Sequence, residues 1–110
     1  MKHEKEMQQL IDAFIETQNA HNSQGFAALF TGDAEVEDEG KKYKGSLQIK
    51  EWNDETIKKY NTSNELVSCE VNEDKIMLVL KVSGTFPGSP VNITFRFKVY
   101  EGKIKMLTIK

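Results

Sequence analysis

Asp33-Ala34-Glu35-Val36-Glu37-Asp38-Glu39-Gly40-Lys41-Lys42-Tyr43-Lys44-Gly45-Ser46-Leu47-Gln48-Ile49-Lys50-Glu51-Trp52 reads as an alternating strand, a tight glycine turn, a returning strand and the start of a helix. Strand side chains repeat with period 2, so Asp38 shares a face with Ala34 and Val36. A carboxylate on an apolar face is either a slipped register or the start of a site. With Gly40-Lys41 as a two-residue turn, Glu39 pairs with Lys42 and Asp38 lies directly opposite Tyr43. Directly opposed residues share a face with Cβ atoms about 5 Å apart, which brings the Tyr43 hydroxyl within reach of the carboxylate or of a ligand beside it.

Upstream, helical spacing governs. Met7, Leu10, Ile11, Phe14 and Gln18 recur at i, i+3 and i+4, predicting a helix over residues 4–20. Ser23 then reads as the N-cap of a short second helix holding Phe26, Leu29 and Phe30, closed by Gly32. Past the hairpin, Ser46 reads as the N-cap of a third helix reaching about Tyr60, with Ile49, Trp52, Asn53, Thr56 and Tyr60 on its buried stripe. From Glu65 the period switches to 2. Residues 66–71, 76–82, 91–100 and 104–109 read as strands rich in Val, Ile, Leu and Phe. Short turns join them at 72–74 and at Glu101-Gly102, and Pro87-Gly88 suits a type II turn in the longer 84–90 connection. Helices first and an antiparallel meander second is the pattern of an α+β domain with helices on one sheet face.

Ile93, Phe95, Phe97 and Val99 share one face of the third long strand. On the second, Met77 and Val79 oppose Ile76, Leu78 and Leu80, so that strand is apolar on both sides. Such a strand is usually covered on both sides. A second copy of the sheet would supply the other cover, making a homodimer through the sheet; the alternative is that an exposed Met and Val are simply tolerated.

The chain has 110 residues, of which 38% are hydrophobic and 29% charged, the scale of a single domain spanning residues 3–110. Lys+Arg 15 against Asp+Glu 17 gives a net charge of −2 with no long block of one sign, which argues against nucleic-acid and anionic-membrane partners. A single cysteine, Cys69, cannot form an internal disulfide, and the N-terminal stretch lacks the apolar run of a signal peptide. The expected location is the cytoplasm.

Residues 26–40, Phe-Ala-Ala-Leu-Phe-Thr-Gly-Asp-Ala-Glu-Val-Glu-Asp-Glu-Gly, together with Gly45-x-x-x-Ile49-x-x-Trp52 and the order of elements, resemble the nuclear transport factor 2-like superfamily. Within it, the chain is most similar to the SnoaL-like proteins and the ketosteroid isomerases. The resemblance implies a cone-shaped, curved antiparallel sheet (a cystatin-like roll) packed on three helices, an apolar cavity between them, and dimerisation through the sheet. This fold hosts many unrelated activities, so it does not fix a function. Asp38 falls where the ketosteroid isomerases carry their general base. Their two oxyanion donors correspond to Phe14 and Ile93, which can donate nothing, and each such donor is worth about 3 kcal/mol in the transition state. The resemblance therefore does not extend to steroid isomerisation by that mechanism. SnoaL cyclases use an acid on the long strands, where this chain offers Thr94, Arg96 and Lys98.

Two catalytic candidates follow, Asp38 and Tyr43. Among Phe14, Val36, Trp52 and Phe95, Asp38 would be desolvated and basic enough for proton transfer near neutral pH; the bland alternative is a solvated acid at a hairpin tip. Trp52, Thr56 and Tyr60 put flat aromatic area and two hydroxyls on one stripe, which suits a ring-shaped or acyl ligand. The other reading is aromatic rings that merely bury their bodies. Gln18 either bonds nearby backbone or faces a ligand. His21 either caps its helix electrostatically or pairs with Asp38. Phe14, Gln18, Phe30, Val36, Trp52, Thr56, Tyr60, Ile93 and Phe95 make the expected lining for an apolar or aromatic small molecule. No metal site is expected, because alternating strand acids cannot converge on one ion, and no cofactor motif is present. The leading expectation is a SnoaL-like binding protein with acid/base chemistry of isomerase, cyclase or hydratase type. The alternative is a non-catalytic ligand-binding or dimeric interaction module.

Overall fold

Met7, Leu10, Ile11 and Phe14 are all buried by α1 (Lys2–Asn19), as their spacing requires of a helix with one apolar stripe. The structure, a computed structural model, describes residues 2–109. The second helix departs from expectation. α2 (Ser23–Ala27) is capped by Asn22, whose side-chain oxygen accepts the Gly25 N–H at 3.0 Å, while Ser23 is buried and takes a hydrogen bond from Asn53 Nδ2 at 3.0 Å. The helix also stops before Phe30, because Leu29 O is captured by the Ile104 N–H at 2.9 Å. Phe30 thus opens β1 (Phe30–Asp38) and pairs with Ile104.

β2 (Lys41–Lys44), α3 (Gly45–Tyr60), β3 (Ser63–Asn72), β4 (Lys75–Ser83), β5 (Val91–Tyr100) and β6 (Lys103–Ile109) complete the chain. The six strands form one sheet in the order β2-β1-β6-β5-β4-β3, antiparallel at every step except β1–β6, which is parallel. The last strand therefore slots between the first and the fifth and closes the concave face over the helices.

The first hairpin pairs Val36 with Tyr43 and Asp38 with Lys41, so its turn is Glu39-Gly40 rather than Gly40-Lys41. Both turn residues have positive φ, 52° and 79°, which is what a type I′ turn demands. The register differs by two residues from the expected one. A two-residue slip keeps every side chain on its face, so Asp38 and Tyr43 stay on one side as diagonal neighbours, not opposed ones. Where β2 gives way to α3, Gly45 sits at φ 84°. Lys44 is the N-cap, and its N–H donates to Gln48 Oε1 at 2.8 Å; Ser46 lies within the first turn and does not cap.

Two rows of side chains cross the concave face. One runs Val36, Leu107, Phe97, Ile76 and Val71; the other runs Asp38, Ile109, Phe95, Leu78 and Cys69. Asp38 is the one acid in either row. Above them, Phe14 packs on Phe26, Phe95 and Phe97 with ring centroids 5.2, 5.7 and 4.8 Å away. Where the resemblance implied an open interior, this part of the space between α1 and the sheet holds rings. On the convex face, Met77 and Val79 are half-buried and pair with Arg96 and Thr94. Among the described residues no helix is long and apolar enough to cross a membrane.

Candidate active site

Asp38 ends β1, paired with Ile109 on β6 and beside the turn made by Glu39 and Gly40. Its alternation with Val36 turns it to the concave side, and it is half-buried there. α3 crosses over β1 and β2 and lowers Trp52 onto this corner, where the indole N–H donates to Asp38 Oδ2 at 3.2 Å. Among the described residues, no hydrogen bond reaches Oδ1. Loss of solvation lifts the Asp38 carboxyl above its ordinary value, the Trp52 hydrogen bond opposes that lift, and the nearby Glu39 charge adds to it.

The carboxylate borders a groove of about 380 Å³ shared with Glu37, Glu39, Gly40, Ile93, Thr108 and Ile109. Ile93 lies on β5 just past the point where β6 runs out at Ile109, so the groove follows the gap left between β1 and β5. A wider groove of about 490 Å³ runs along Asp33, Tyr100, Lys103 and Lys105. Asp33 is exposed there and held ionised, first by the Thr31 hydroxyl, and Glu101 is exposed too, so the smaller groove carries the more unusual chemistry.

The expected lining residues separate into groups. Asp38 and Ile93 meet at the groove. Trp52 is 8% exposed and stacks at 5.8 Å on Tyr43, so the hydrogen bond to the carboxylate comes from the indole; no hydrogen bond joins the Tyr43 hydroxyl to Asp38. Phe14, Phe30, Val36 and Phe95 are core. Thr56 turns its hydroxyl back to Trp52 O at 2.9 Å, and Tyr60 packs edge-on against Phe86 at 5.7 Å under the 84–90 loop. Gln18 is half-buried with Oε1 unpartnered, as is Oδ1 of the fully buried Asn53. His21 is exposed, and its ring nitrogen lies 2.7 Å from Thr62 O, stapling the end of α1 to the start of β3. Ile109 and Thr108 were not expected at the site. They reach it only because β6 lies parallel beside β1, and no short-range signal announces that pairing. Among the described residues, no three His, Cys, Asp or Glu side chains gather as a metal site.

The profile of the SnoaL-like domain matches residues 11–106. A candidate polyketide cyclase of Sinorhizobium meliloti is 31% identical and superposes with a TM-score of 0.89, over 93% of this chain and 94% of its own. A protein from Sphaerobacter thermophilus is 24% identical, with a TM-score of 0.80 over 92% of this chain and 91% of its own. An epoxide hydrolase/cyclase-like enzyme of pyran ring formation in the polyether salinomycin is 19% identical, with a TM-score of 0.84 over 99% of this chain and 92% of its own. No curated protein matches the sequence. The domain match over residues 11–106 and the near full-length relative agree with the cone of six strands around three helices, and the chain belongs to the SnoaL-like domain family of the nuclear transport factor 2-like fold.

Proposed function

We propose that this protein binds an apolar or aromatic small molecule in the groove at Asp38, and that Asp38 exchanges a proton with it in a reaction of isomerase, cyclase or hydratase type. One observation carries the reading: a half-buried carboxylate stands on an otherwise apolar row and opens to a groove walled by Ile93 and Ile109. Desolvation keeps its proton available closer to neutral pH than an ordinary aspartate does. Phe14 and Ile93 supply no oxyanion donor, so chemistry that generates an unsupported enolate is disfavoured. Proton delivery to an oxygen of the ligand fits better. The sequence match to a candidate polyketide cyclase supports the class. Trp52 and Tyr43 form the wall behind the acid. The setting is cytoplasmic, consistent with the lone thiol Cys69, and the working form is a dimer whose two convex sheet faces meet.

The test is a pair of NMR titrations. The Asp38 carboxyl carbon is followed against pH, and backbone amides are followed against 2-naphthol as a neutral aromatic probe. The expected results are an elevated midpoint for Asp38 and saturable shifts at Asp38, Ile93 and Ile109. An ordinary midpoint removes the proton-transfer role. Absence of saturable shifts removes the binding site.

A second reading is favoured by the aromatic cluster itself. Phe14, Phe26, Phe95 and Phe97 fill the interior with rings, which suits a non-catalytic module whose rim alone binds a ligand. Saturable shifts with an ordinary Asp38 midpoint would favour it.

A further inference from the structure

The indole of Trp52 has little freedom. Its ring packs at a tilt on Tyr43, centroid 5.8 Å away, and on Phe26, 6.2 Å away. The next residue, Asn53, is fully buried and ties α3 to α2 through Ser23 at 3.0 Å. The donor N–H is therefore aimed by two tilted ring contacts and by a helix pinned one residue further on. An indole N–H donates and never accepts or gives up its proton at ordinary pH. It occupies Asp38 Oδ2, leaving Oδ1 with no hydrogen bond among the described residues.

We infer that Trp52 is a positioning residue, which fixes Asp38 Oδ2 so that the exchangeable proton resides on Oδ1 and passes to the ligand through that atom alone. This rests on the acid/base reading of Asp38 given above. In the protonated form, Oδ2 is the carbonyl oxygen that accepts from the indole, and the O–H is on Oδ1. As the proton leaves, the O–H electron pair stays on the carboxylate and a lone pair of the ligand oxygen forms the new O–H bond. The indole hydrogen bond strengthens as Oδ2 gains charge, so the departing state is stabilised by a group already in place. The ligand group suited to such a site makes one contact, through a hydroxyl, carbonyl or ether-type oxygen. A guanidinium or amidinium fork, which needs both carboxylate oxygens, is poorly served.

Trp52 is the single tryptophan of the chain, so its indole N–H gives one unambiguous signal in a nitrogen–proton correlation spectrum. The expected result is that this signal shifts with pH at the same midpoint as the Asp38 carboxyl, and that Asp38→Asn abolishes the inflection. In Trp52→Phe, which keeps an aromatic ring but loses the donor, the Asp38 midpoint rises above that of the native protein, because the group that favoured the carboxylate is gone. An indole signal indifferent to Asp38, or an unchanged Asp38 midpoint in folded Trp52→Phe, overturns the inference. The first measurement uses the native chain and needs no variant to fold. An ordinary Asp38 midpoint with a tracking indole would sink the proton-transfer reading but leave the Trp52–Asp38 coupling in place, so the two failures are distinguishable.

Discussion

Asp38 sets electrostatics against solvation within one side chain. Burial raises its pKa above the ordinary 3.8, so the folded chain holds that proton more tightly than the unfolded chain does. The stability it contributes is complete below the unfolded value and is lost as pH rises through the folded one. Asparagine resembles the protonated acid and can still accept from Trp52. Asp38→Asn should therefore melt at a higher temperature than the native protein at neutral pH, with the gap closing on acidification to below pH 3.8, as calorimetry across that range would show. A gap that widens towards acid would mean the carboxylate is stabilised in place. At this scale the sequence was half legible. Period-2 alternation put Asp38 on the Val36 face, and it is there. The Trp52 donor was hidden, since an interaction 14 residues apart depends on how α3 lies across β1.

Turns decide register, and the first hairpin shows where local reading failed. Glu39-Gly40 and Glu101-Gly102 are the same dipeptide in the same conformation, with φ 52° and 79° in one and 49° and 80° in the other. Local sequence places the second turn correctly and displaces the first by one position, because a glycine suits either central position of a two-residue loop. Cap assignments failed similarly. Ser23 and Ser46 looked like N-caps by residue type, yet Asn22 and Lys44 hold those positions, and Ser23 serves the buried Asn53 instead. Gly40→Ala forces a left-handed conformation on a residue with a Cβ and should cost about 1–2 kcal/mol in urea unfolding. A negligible cost would argue against the type I′ assignment. Gly84 is constrained by proximity rather than φ: a Cβ there would lie 2.5 Å from Tyr60 O, the same oxygen that accepts the Thr85 N–H at 2.8 Å. Gly84→Ala should therefore cost about 1–3 kcal/mol by forcing the loop off the end of α3. The same assay should show Gly88→Ala acting differently: its Cβ meets nothing within 4 Å, so any loss there reports only its φ of 86°.

At the scale of the whole molecule, the order of elements was legible because long strands and an amphipathic helix each impose a period over many residues. The parallel β1–β6 pairing was not, since it joins the first strand to the last. Apolar residues on both sides of β4 were legible too, and they bear on assembly. Met77, Val79, Thr94 and Thr108 are half-buried on the convex face, where one row runs Glu37, Thr108, Arg96, Met77 and Glu70, so acids stand on both flanks with Arg96 between them. A two-fold axis through Met77 and Val79 would set the apolar patch of each sheet against that of its partner, the self-complementary arrangement a closed dimer needs. Sedimentation at micromolar concentration should give twice the chain mass. Val79→Lys, which places two like charges near the axis, should give the single mass while keeping the native circular dichroism spectrum, because the substituted side chain points away from the helices. Raising the salt should leave the native dimer largely intact, since screening acts on charges and not on the apolar centre. A native chain that sediments at its single mass in low and high salt alike would leave Met77 and Val79 as tolerated apolar surface and the convex face free.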